Sequence, residues 1–278
     1  MSLSLSQPPA APSSLRSLFQ LRDEVLRRER TLTLFALFMV LAMVPTLLAL
    51  GLDERLLRGV SLWAKPLKFM ASLSVFALTT AWFIGLLPAA QRQTRALRLV
   101  VWTIVIAGTG EVGYICLQAA LGQASHYNIN DRLHAVMYQL MGAGALSLML
   151  TQLVLAHQIA RHARPGLHPA WREAVVRGLL MTFVLGVGSA AALSNAQPPA
   201  GAGLPLVGWH LGGGDLRPAH FIGSHAQQLV PLAGALLVRA WPARARLLLW
   251  AFAAGYSALW LLALLRGLDG AVWLAPPM

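Results

Sequence analysis

Long apolar runs separated by short basic segments dominate the hydrophobic pattern of this chain. Seven of the runs approach or exceed the roughly 20 residues that a helix needs to cross a bilayer core. The fifth of them is the shortest. We predict membrane-spanning helices at Thr31–Gly51, Phe69–Leu87, Leu99–Leu121, Ala135–Ala156, Gly178–Asn195, Pro218–Val238 and Leu247–Leu265. The pattern therefore predicts an all-α fold, an integral membrane bundle of seven transmembrane helices.

The segments outside these runs divide the chain into three parts. Residues 1–30 form an N-terminal tail, in which Met1–Ser14 is rich in Pro, Ser and Ala and is predicted to be disordered. Leu15–Arg30 is predicted to be a short amphipathic helix on the membrane surface. Residues 31–267 form the seven-helix membrane domain, and residues 268–278 form an external C-terminal tail. The first span then acts as an uncleaved anchor.

The distribution of charge predicts how the bundle is oriented. Only 12% of the 278 residues are charged, and the net charge of +12 is spread over the flanks of the apolar runs. A dispersed charge does not favour a nucleic-acid partner. Fifteen basic residues lie in the N-terminal tail and the even-numbered loops, whereas seven lie in the odd-numbered loops and near the C terminus. The positive-inside rule then predicts a cytoplasmic N terminus and an external C terminus, N-in/C-out.

The residue usage predicts where the protein resides. Lys65 and Lys68 are the only lysines among the 22 basic residues, and the excess of Arg, Ala and Leu is typical of GC-rich bacterial genes. We therefore predict a multi-pass protein of the bacterial inner (plasma) membrane, with the lipid bilayer as its surroundings. The single cysteine, Cys116, excludes an intrachain disulfide.

Polar residues within or beside the apolar runs fall in the external half of the predicted bundle. Glu111 is the only acid inside any run. Because a charged group that faces lipid costs at least about 2.5 kcal/mol, we expect these side chains to face one another around a pocket open to the outside. The predicted pocket residues are Lys65, Lys68, Glu111, Gln118, His126, Asn128, His134, Asp215, Arg217, His220, His225 and Gln228.

The leading hypothesis for this pocket is a metal-dependent membrane enzyme. Neutral imidazoles with a carboxylate suit zinc or another transition metal. His126, His220 and His225 are the predicted ligands, and Glu111 is the predicted general base or fourth ligand. Such a centre would hydrolyse a lipid-like substrate with metal-activated water. His220 and His225 are five residues apart and do not share a helical face, so each of them can also meet a different partner.

Three alternatives remain open. The first is a proton-coupled transporter or small-ligand sensor, in which Glu111 titrates and the lysines bind an anion. The second is haem b held by His134 and either His220 or His225. The third is a structural or assembly protein, in which the polar residues fix helix packing and Glu111 is the ion partner of Lys68.

Several motifs together resemble a family of bacterial inner-membrane proteins with no established activity. They are WAKPLKF at Trp63–Phe69, the acid at Glu111, SHYN at Ser125–Asn128 and GDLRPAHFIGSHAQQLVP at Gly214–Pro231. The resemblance covers the second to the sixth span. It implies a multi-pass membrane fold and no particular reaction.

A looser resemblance concerns the chemistry of the site alone. The seven-helix hydrolases that include adiponectin receptors, haemolysin III and alkaline ceramidases place zinc among three histidines, near a serine and an aspartate. Ser125, His126, Asp131, His220 and His225 supply the same residue types here. The final histidine pair of that superfamily is HxxxH, whereas this chain has HxxxxH in its sixth span.

Overall fold

The computed structural model describes residues 14–273, with gaps at 202, 205 and 206. Within that part the protein is helical, with short two-residue strands in its loops. The helices are α1 (Ser14–Arg28), α2 (Arg30–Leu52), α3 (Ala64–Ile84), α4 (Ala89–Arg92), α5 (Arg95–Ala120), α6 (Arg132–His162), α7 (Pro169–Leu193), α8 (Arg217–Ser224), α9 (Ala226–Ala240) and α10 (Ala245–Leu268). The predicted all-α class is confirmed. The stretch predicted to be disordered lies, except for Ser14, outside the described residues.

Six helices are long and apolar enough to cross a membrane: α2, α3, α5, α6, α7 and α10. The number rises to seven if α8 and α9, which are bent by 50° at a short break, form one span. The sequence prediction of a multi-pass helical bundle is confirmed to this extent. The fifth predicted span is not short, because α7 has 25 residues and begins before the apolar run, at Pro169.

The sixth predicted span differs from the prediction of one regular helix. Its helix ends at Ser224 and restarts at Ala226, and His225 lies between the two halves. Gly223 lies against α7, because a Cβ built on it would be 2.7 Å from the backbone carbon of Leu185. The break lets the first half pack this closely on α7 while the second half continues in another direction.

Side-chain caps help to define where two spans begin. Glu29 accepts a hydrogen bond from the Leu32 backbone N–H at the start of α2. Asp131 accepts one of 3.0 Å from the His134 N–H at the start of α6. Each carboxylate satisfies a backbone donor that the helix itself leaves free.

The helices pack mainly on their neighbours in sequence. Helix α3 packs on α2 and α5, α6 on α5 and α7, and α7 on both α8 and α9, with α10 closing against α7, α8 and α9. A large apolar core joins residues of α1, α2, α3, α5, α6 and α7, and a smaller one joins α7, α9 and α10. Helix α7 belongs to both cores and therefore links the two halves of the bundle.

Two pairs of short strands connect the loops at one end of the bundle. We call it the Lys65 end, because α3 begins there at Ala64, next to Lys65. Strand β1 (Leu56–Leu57) pairs antiparallel with β2 (Val60–Ser61) between α2 and α3. Strand β3 (Ala196–Gln197), after α7, pairs with β4 (Val272–Trp273), after α10. The start of the segment predicted as a C-terminal tail is therefore part of the folded domain. Within that predicted tail, residues 274–278 lie outside the described part of the chain.

Arginine side chains connect the helices at the opposite end of the bundle. Arg28 of α1 donates a hydrogen bond of 3.0 Å to the Trp82 carbonyl and lies 3.8 Å from the centre of the Trp82 ring. Arg92 donates to the carbonyls of Leu87 and Gly85, at 2.8 and 3.1 Å. These carbonyls follow or close α3 and would otherwise lack partners. The arginines thus fix α1 and α4 to the end of α3.

A partly buried ion network joins α7 to α10. Glu173 pairs with Arg177 on its own helix and with Arg246 of α10 at 2.9 Å. The Arg177 guanidinium also lies over the Trp250 ring, 3.1 Å from its centre. We expect Glu173→Gln to lower the free energy of unfolding by about 2 kcal/mol, because Arg177 loses its charge partner while remaining partly buried. Thermal unfolding in detergent micelles measures this loss.

Arg246→Gln is the matched control for that prediction. The Arg246 side chain is 73% exposed, so its pair with Glu173 should contribute less than about 1 kcal/mol. An equal loss in the two variants would contradict the assignment of the network to Arg177.

Candidate functional site

The two lysines at the start of α3 have different surroundings. Lys65 is half-buried, and its ammonium lies 5.7 Å from the centre of the Phe69 ring, one helical turn later. Lys68 is exposed and donates a hydrogen bond of 3.1 Å to the Val207 carbonyl in the loop before α8. Lys65 therefore faces the bundle interior, and Lys68 holds a loop.

Glu111 is buried in the interface between α5 and α6. Its side chain is 8% exposed, and its Oε1 atom has no hydrogen-bond partner among the described residues. A Cβ built on Gly144 of α6 would lie 3.1 Å from that oxygen, so the glycine leaves the room that the carboxylate occupies. Glu111 interacts electrostatically with Lys65. Lys68, the partner considered from the sequence, instead donates its hydrogen bond to the Val207 carbonyl.

His126 adds an imidazole to this group from the loop between α5 and α6. Its ring centre is 6.0 Å from that of Phe69 and 6.0 Å from that of Tyr138 on α6. Burial first, and then the nearby charge of Lys65, lower the pKa of His126 to about 3. His126 is therefore neutral at physiological pH and can accept or donate one hydrogen bond per ring nitrogen.

Tyr127 holds this loop in place. Its backbone lies in the left-handed region, with φ of 59°, which a bulky residue adopts only when its surroundings enforce it. Its hydroxyl donates a hydrogen bond of 2.7 Å to the Leu193 carbonyl at the end of α7. This anchor turns the neighbouring His126 toward Lys65.

The residues Lys65, Phe69, Glu111, His126 and Tyr138 thus gather where α3, α5 and α6 meet, and we call them the Lys65 site. Three of them were predicted as site residues from the sequence. Phe69 and Tyr138 were not, although the spacing of Lys65 and Phe69, one helical turn apart, was a usable signal.

Other predicted pocket residues lie at or near this end with partners of their own. The ring nitrogens of His134 face Asp131 and, at 3.0 Å, Gln123. Gln118 and Asn128 each have a buried side-chain oxygen without a partner in the described part of the chain. Gln228 lies deeper, where it donates a hydrogen bond of 3.4 Å to Thr79 of α3.

Asp215 and Arg217 form a clamp in the loop that leads into α8. The Asp215 carboxylate is 3% exposed and accepts hydrogen bonds from the Arg217 side chain and from the backbone N–H groups of His210 and Arg217. Burial raises the pKa of Asp215, but these hydrogen bonds outweigh it and hold the pKa below its usual value. The clamp shapes the loop that receives Lys68.

The depressed pKa of Asp215 predicts that acid loosens this loop. A carboxyl group whose pKa is lower in the folded state stabilises the fold above its unfolded value of about 4, and this contribution is lost as the pH falls through the folded value. We expect the His210 and Arg217 amides to lose protection from hydrogen exchange below about pH 4, after correction for intrinsic rates. Asp215→Asn should show the weaker protection at pH 6 already. Equal protection in the variant and the parent at pH 6 would refute the role of the carboxylate.

The three histidines predicted as metal ligands are not gathered around one point. His220 faces Ser189 of α7 across 3.5 Å, and the His225 ring stacks on Phe221 with ring centres 3.9 Å apart. His126 instead lies against Phe69. Within residues 14–273, outside the three gaps, no group of three or more His, Cys, Asp and Glu could hold a metal ion.

The expectation of a shared metal ion therefore lacks the cluster that it requires. The reason is the break at His225, which gives the two histidines of this segment different neighbours, together with the position of His126 beside α3. Glu111 likewise packs against Gly144 and interacts electrostatically with Lys65, so the role of general base next to a metal has no support in this arrangement.

Haem binding also gains no support. His134, the predicted ligand from the fourth span, uses both ring nitrogens in contacts with Asp131 and Gln123. Axial ligation would have to break one of them.

Comparisons with protein-family models, with curated proteins and with solved structures found no match for this chain. The two resemblances drawn from the motifs therefore remain expectations. The function has to be inferred from the geometry of the Lys65 site.

Proposed function

We propose that this protein binds a small anionic ligand, such as a carboxylate, at the Lys65 site, and that Glu111 takes up a proton when the ligand binds. Such a protein is a proton-coupled transporter or a ligand sensor. The observation that carries this proposal is the buried Glu111 carboxylate, whose Oε1 atom has no partner among the described residues, together with its electrostatic interaction with the half-buried Lys65.

The charges around Lys65 support an anionic ligand. Lys68 and Arg58 also act electrostatically on Lys65 and repel it, whereas the acid Glu111 attracts it. A monovalent anion beside Lys65 would relieve the repulsion among the cations. It would also compete with Glu111 for the ammonium.

The coupling to a proton follows from that competition. Without ligand, Lys65 and Glu111 balance each other's charge. When an anion neutralises Lys65, an ionised Glu111 would be left buried without a counter-charge, which is unfavourable. Protonation removes this cost and turns the carboxyl group into a hydrogen-bond donor for the ligand. Binding of the anion should therefore tighten as the pH falls.

The neutral imidazole of His126 supports recognition of a carboxylate. The rings of Phe69 and Tyr138 each lie 6.0 Å from the His126 ring and pack around it near Lys65. His126 can donate one hydrogen bond to a carboxylate oxygen while Lys65 supplies the charge.

The location of the protein is part of the same proposal. We propose a multi-pass protein of the bacterial inner membrane, N-in/C-out, with the Lys65 end facing outside, on the basis of the asymmetry of basic residues between the loops. A metal-dependent hydrolase, the leading expectation from the sequence, becomes the less supported alternative because its histidines are dispersed.

The experiment that tests the function is ligand-dependent stabilisation of the purified protein. We expect acetate or propionate, at about 100 times its dissociation constant, to stabilise the fold by about 2.7 kcal/mol and so to raise the unfolding temperature in detergent by about 5–10 °C at pH 5.5. Lys65→Gln should abolish this shift.

Lys68→Gln is the matched control, since it removes the other lysine of the chain from the same helical turn. Its hydrogen bond is to a loop carbonyl, so the carboxylate-induced shift should remain. The absence of any shift in the parent protein with short carboxylates would overturn the proposed ligand class.

A further inference from the structure

A second polar group lies deeper in the bundle, at the break between α8 and α9. The Gln227 side chain is fully buried, and neither its amide nitrogen nor its oxygen has a partner among the described residues. Gln152 on α6 and Thr80 on α3 are also fully buried, and each has an unpartnered side-chain oxygen. The side-chain oxygen of Gln228 also has no partner among the described residues, although this residue as a whole is only half-buried.

Contacts between helices place these groups at one level. The Gln227 backbone N–H donates a hydrogen bond of 2.7 Å to Thr182 of α7, and Gln228 donates one of 3.4 Å to Thr79, next to Thr80. Helices α6 and α7 are antiparallel neighbours, and a Cβ on Gly186 would lie 3.4 Å from the Met149 sulfur.

Counting along both helices from that contact, at about 1.5 Å per residue, brings Gln152 level with Thr182. We call Thr80, Gln152, Gln227 and Gln228 the glutamine layer. Glu111 lies against Gly144, which precedes Gln152 by eight residues on α6. At about 1.5 Å per residue, the glutamine layer is therefore about 12 Å farther from the Lys65 end than Glu111 is.

Three helices, α3, α6 and α9, thus direct uncharged polar atoms into one level of the bundle interior. Buried amide and hydroxyl groups are paired in native proteins, by protein atoms or by ordered water. Since protein atoms of the described residues leave the Gln227 amide nitrogen and all four side-chain oxygens unpaired, water is the partner that can satisfy them. None of the four side chains is charged, so the glutamine layer itself supplies no counter-charge for an ion.

We propose that the glutamine layer is an internal hydration site, in which water molecules bridge Gln152 on α6, Thr80 on α3 and the glutamines of α9. This site is separate from the Lys65 site and does not depend on the ligand proposed there. It places water inside a bundle whose two hydrophobic cores are built from apolar side chains.

Cysteine accessibility tests the proposal. In a Cys116→Ala background, Gln227→Cys should react with a small, water-soluble methanethiosulfonate reagent at least tenfold faster than Val230→Cys, because the reactive species is the thiolate and needs water. Val230 is the matched control, since it is fully buried on the same helix, one turn further on. Reaction rates of the two cysteines within a factor of two would overturn the proposal.

A second pair of cysteine variants keeps the test possible if Gln227→Cys does not fold. Gln152→Cys and Leu155→Cys lie on α6, and both parent side chains are fully buried. The same tenfold difference is expected there, with the cysteine at position 152 the faster of the two. If the cysteines at positions 152 and 155 reacted equally slowly with the reagent, the glutamine layer would contain no water and the proposal would be wrong.

The direction in which Gln227→Met changes the unfolding temperature is an independent test of hydration at the glutamine layer. Replacing a water-bonded amide with methionine should lower the unfolding temperature, since the water loses a partner. Removing an amide that is truly unpaired should raise it. We therefore expect Gln227→Met to unfold at a lower temperature than the parent, while the exposed Gln139→Met stays unchanged. A rise in Gln227→Met would contradict hydration, and neither outcome bears on carboxylate binding at Lys65.

Discussion

Replacing Glu111 with glutamine is expected to abolish the pH dependence of anion binding at the Lys65 site. In the parent protein, one proton should be taken up for each anion bound. Linkage then predicts that affinity falls about tenfold per pH unit on the alkaline side of the Glu111 titration. Glutamine has the shape of the protonated carboxylic acid and cannot titrate, so its affinity should remain constant with pH.

Isothermal titration calorimetry with acetate, in two buffers of different ionisation enthalpy, measures the proton count directly. The expected values are one proton for the parent and none for Glu111→Gln. Glu54→Gln is the control, because Glu54 is an exposed acid in the loop before α3 and lies at the same end of the bundle. Proton uptake that persists in Glu111→Gln would assign the coupling to another group and refute the proposed role of Glu111.

The second large effect concerns the packing of the broken span. Gly223→Ala should lower the free energy of unfolding by about 2–3 kcal/mol, because the added methyl group would lie 2.7 Å from the Leu185 backbone. Backbone atoms cannot move aside as the end of a long side chain can. Helix α8 would therefore have to separate from α7, and His220 would move with it.

Gly255→Ala is the control with the opposite expected sign. Gly255 lies within α10, and nothing beyond its own helix backbone lies within 4 Å of the position that a Cβ would take there. Alanine there should stabilise the helix by up to about 1 kcal/mol, since glycine is the poorer helix former. Thermal unfolding of both variants in the same detergent decides the comparison. Similar losses in both would contradict a specific close approach of α8 to α7.

The positions of the spans were accessible from the sequence because they depend on local composition. A run such as Thr31–Gly51 must bury its backbone polar groups within itself when it enters lipid, and only a helix of about 20 residues does so. The structure extends most predicted spans by a few polar or basic residues at their ends, as in α6, which continues to His162. Hydropathy does not register these additional turns.

The break at His225 was not predicted, because local propensity continues through it. Nothing in the apolar pattern of Pro218–Val238 marks a break at this position. The close contact of Gly223 with α7 and the hydrogen bond from Gln227 to Thr182 are interactions between distant parts of the chain. Such contacts override helix propensity when they bury more surface or satisfy more donors than a straight helix would.

The sequence by itself determined that polar side chains would be buried in this bundle, since the cost of exposing Glu111 to lipid holds for any arrangement of the helices. Only the tertiary structure decided which of these side chains meet. It allowed Glu111 to interact electrostatically with Lys65, while Lys68 donates to the Val207 carbonyl, and it dispersed His126, His220 and His225 among different neighbours. Hydropathy depends on each segment alone, whereas a site depends on the rotation and depth of several helices relative to one another, and packing contacts between them set both.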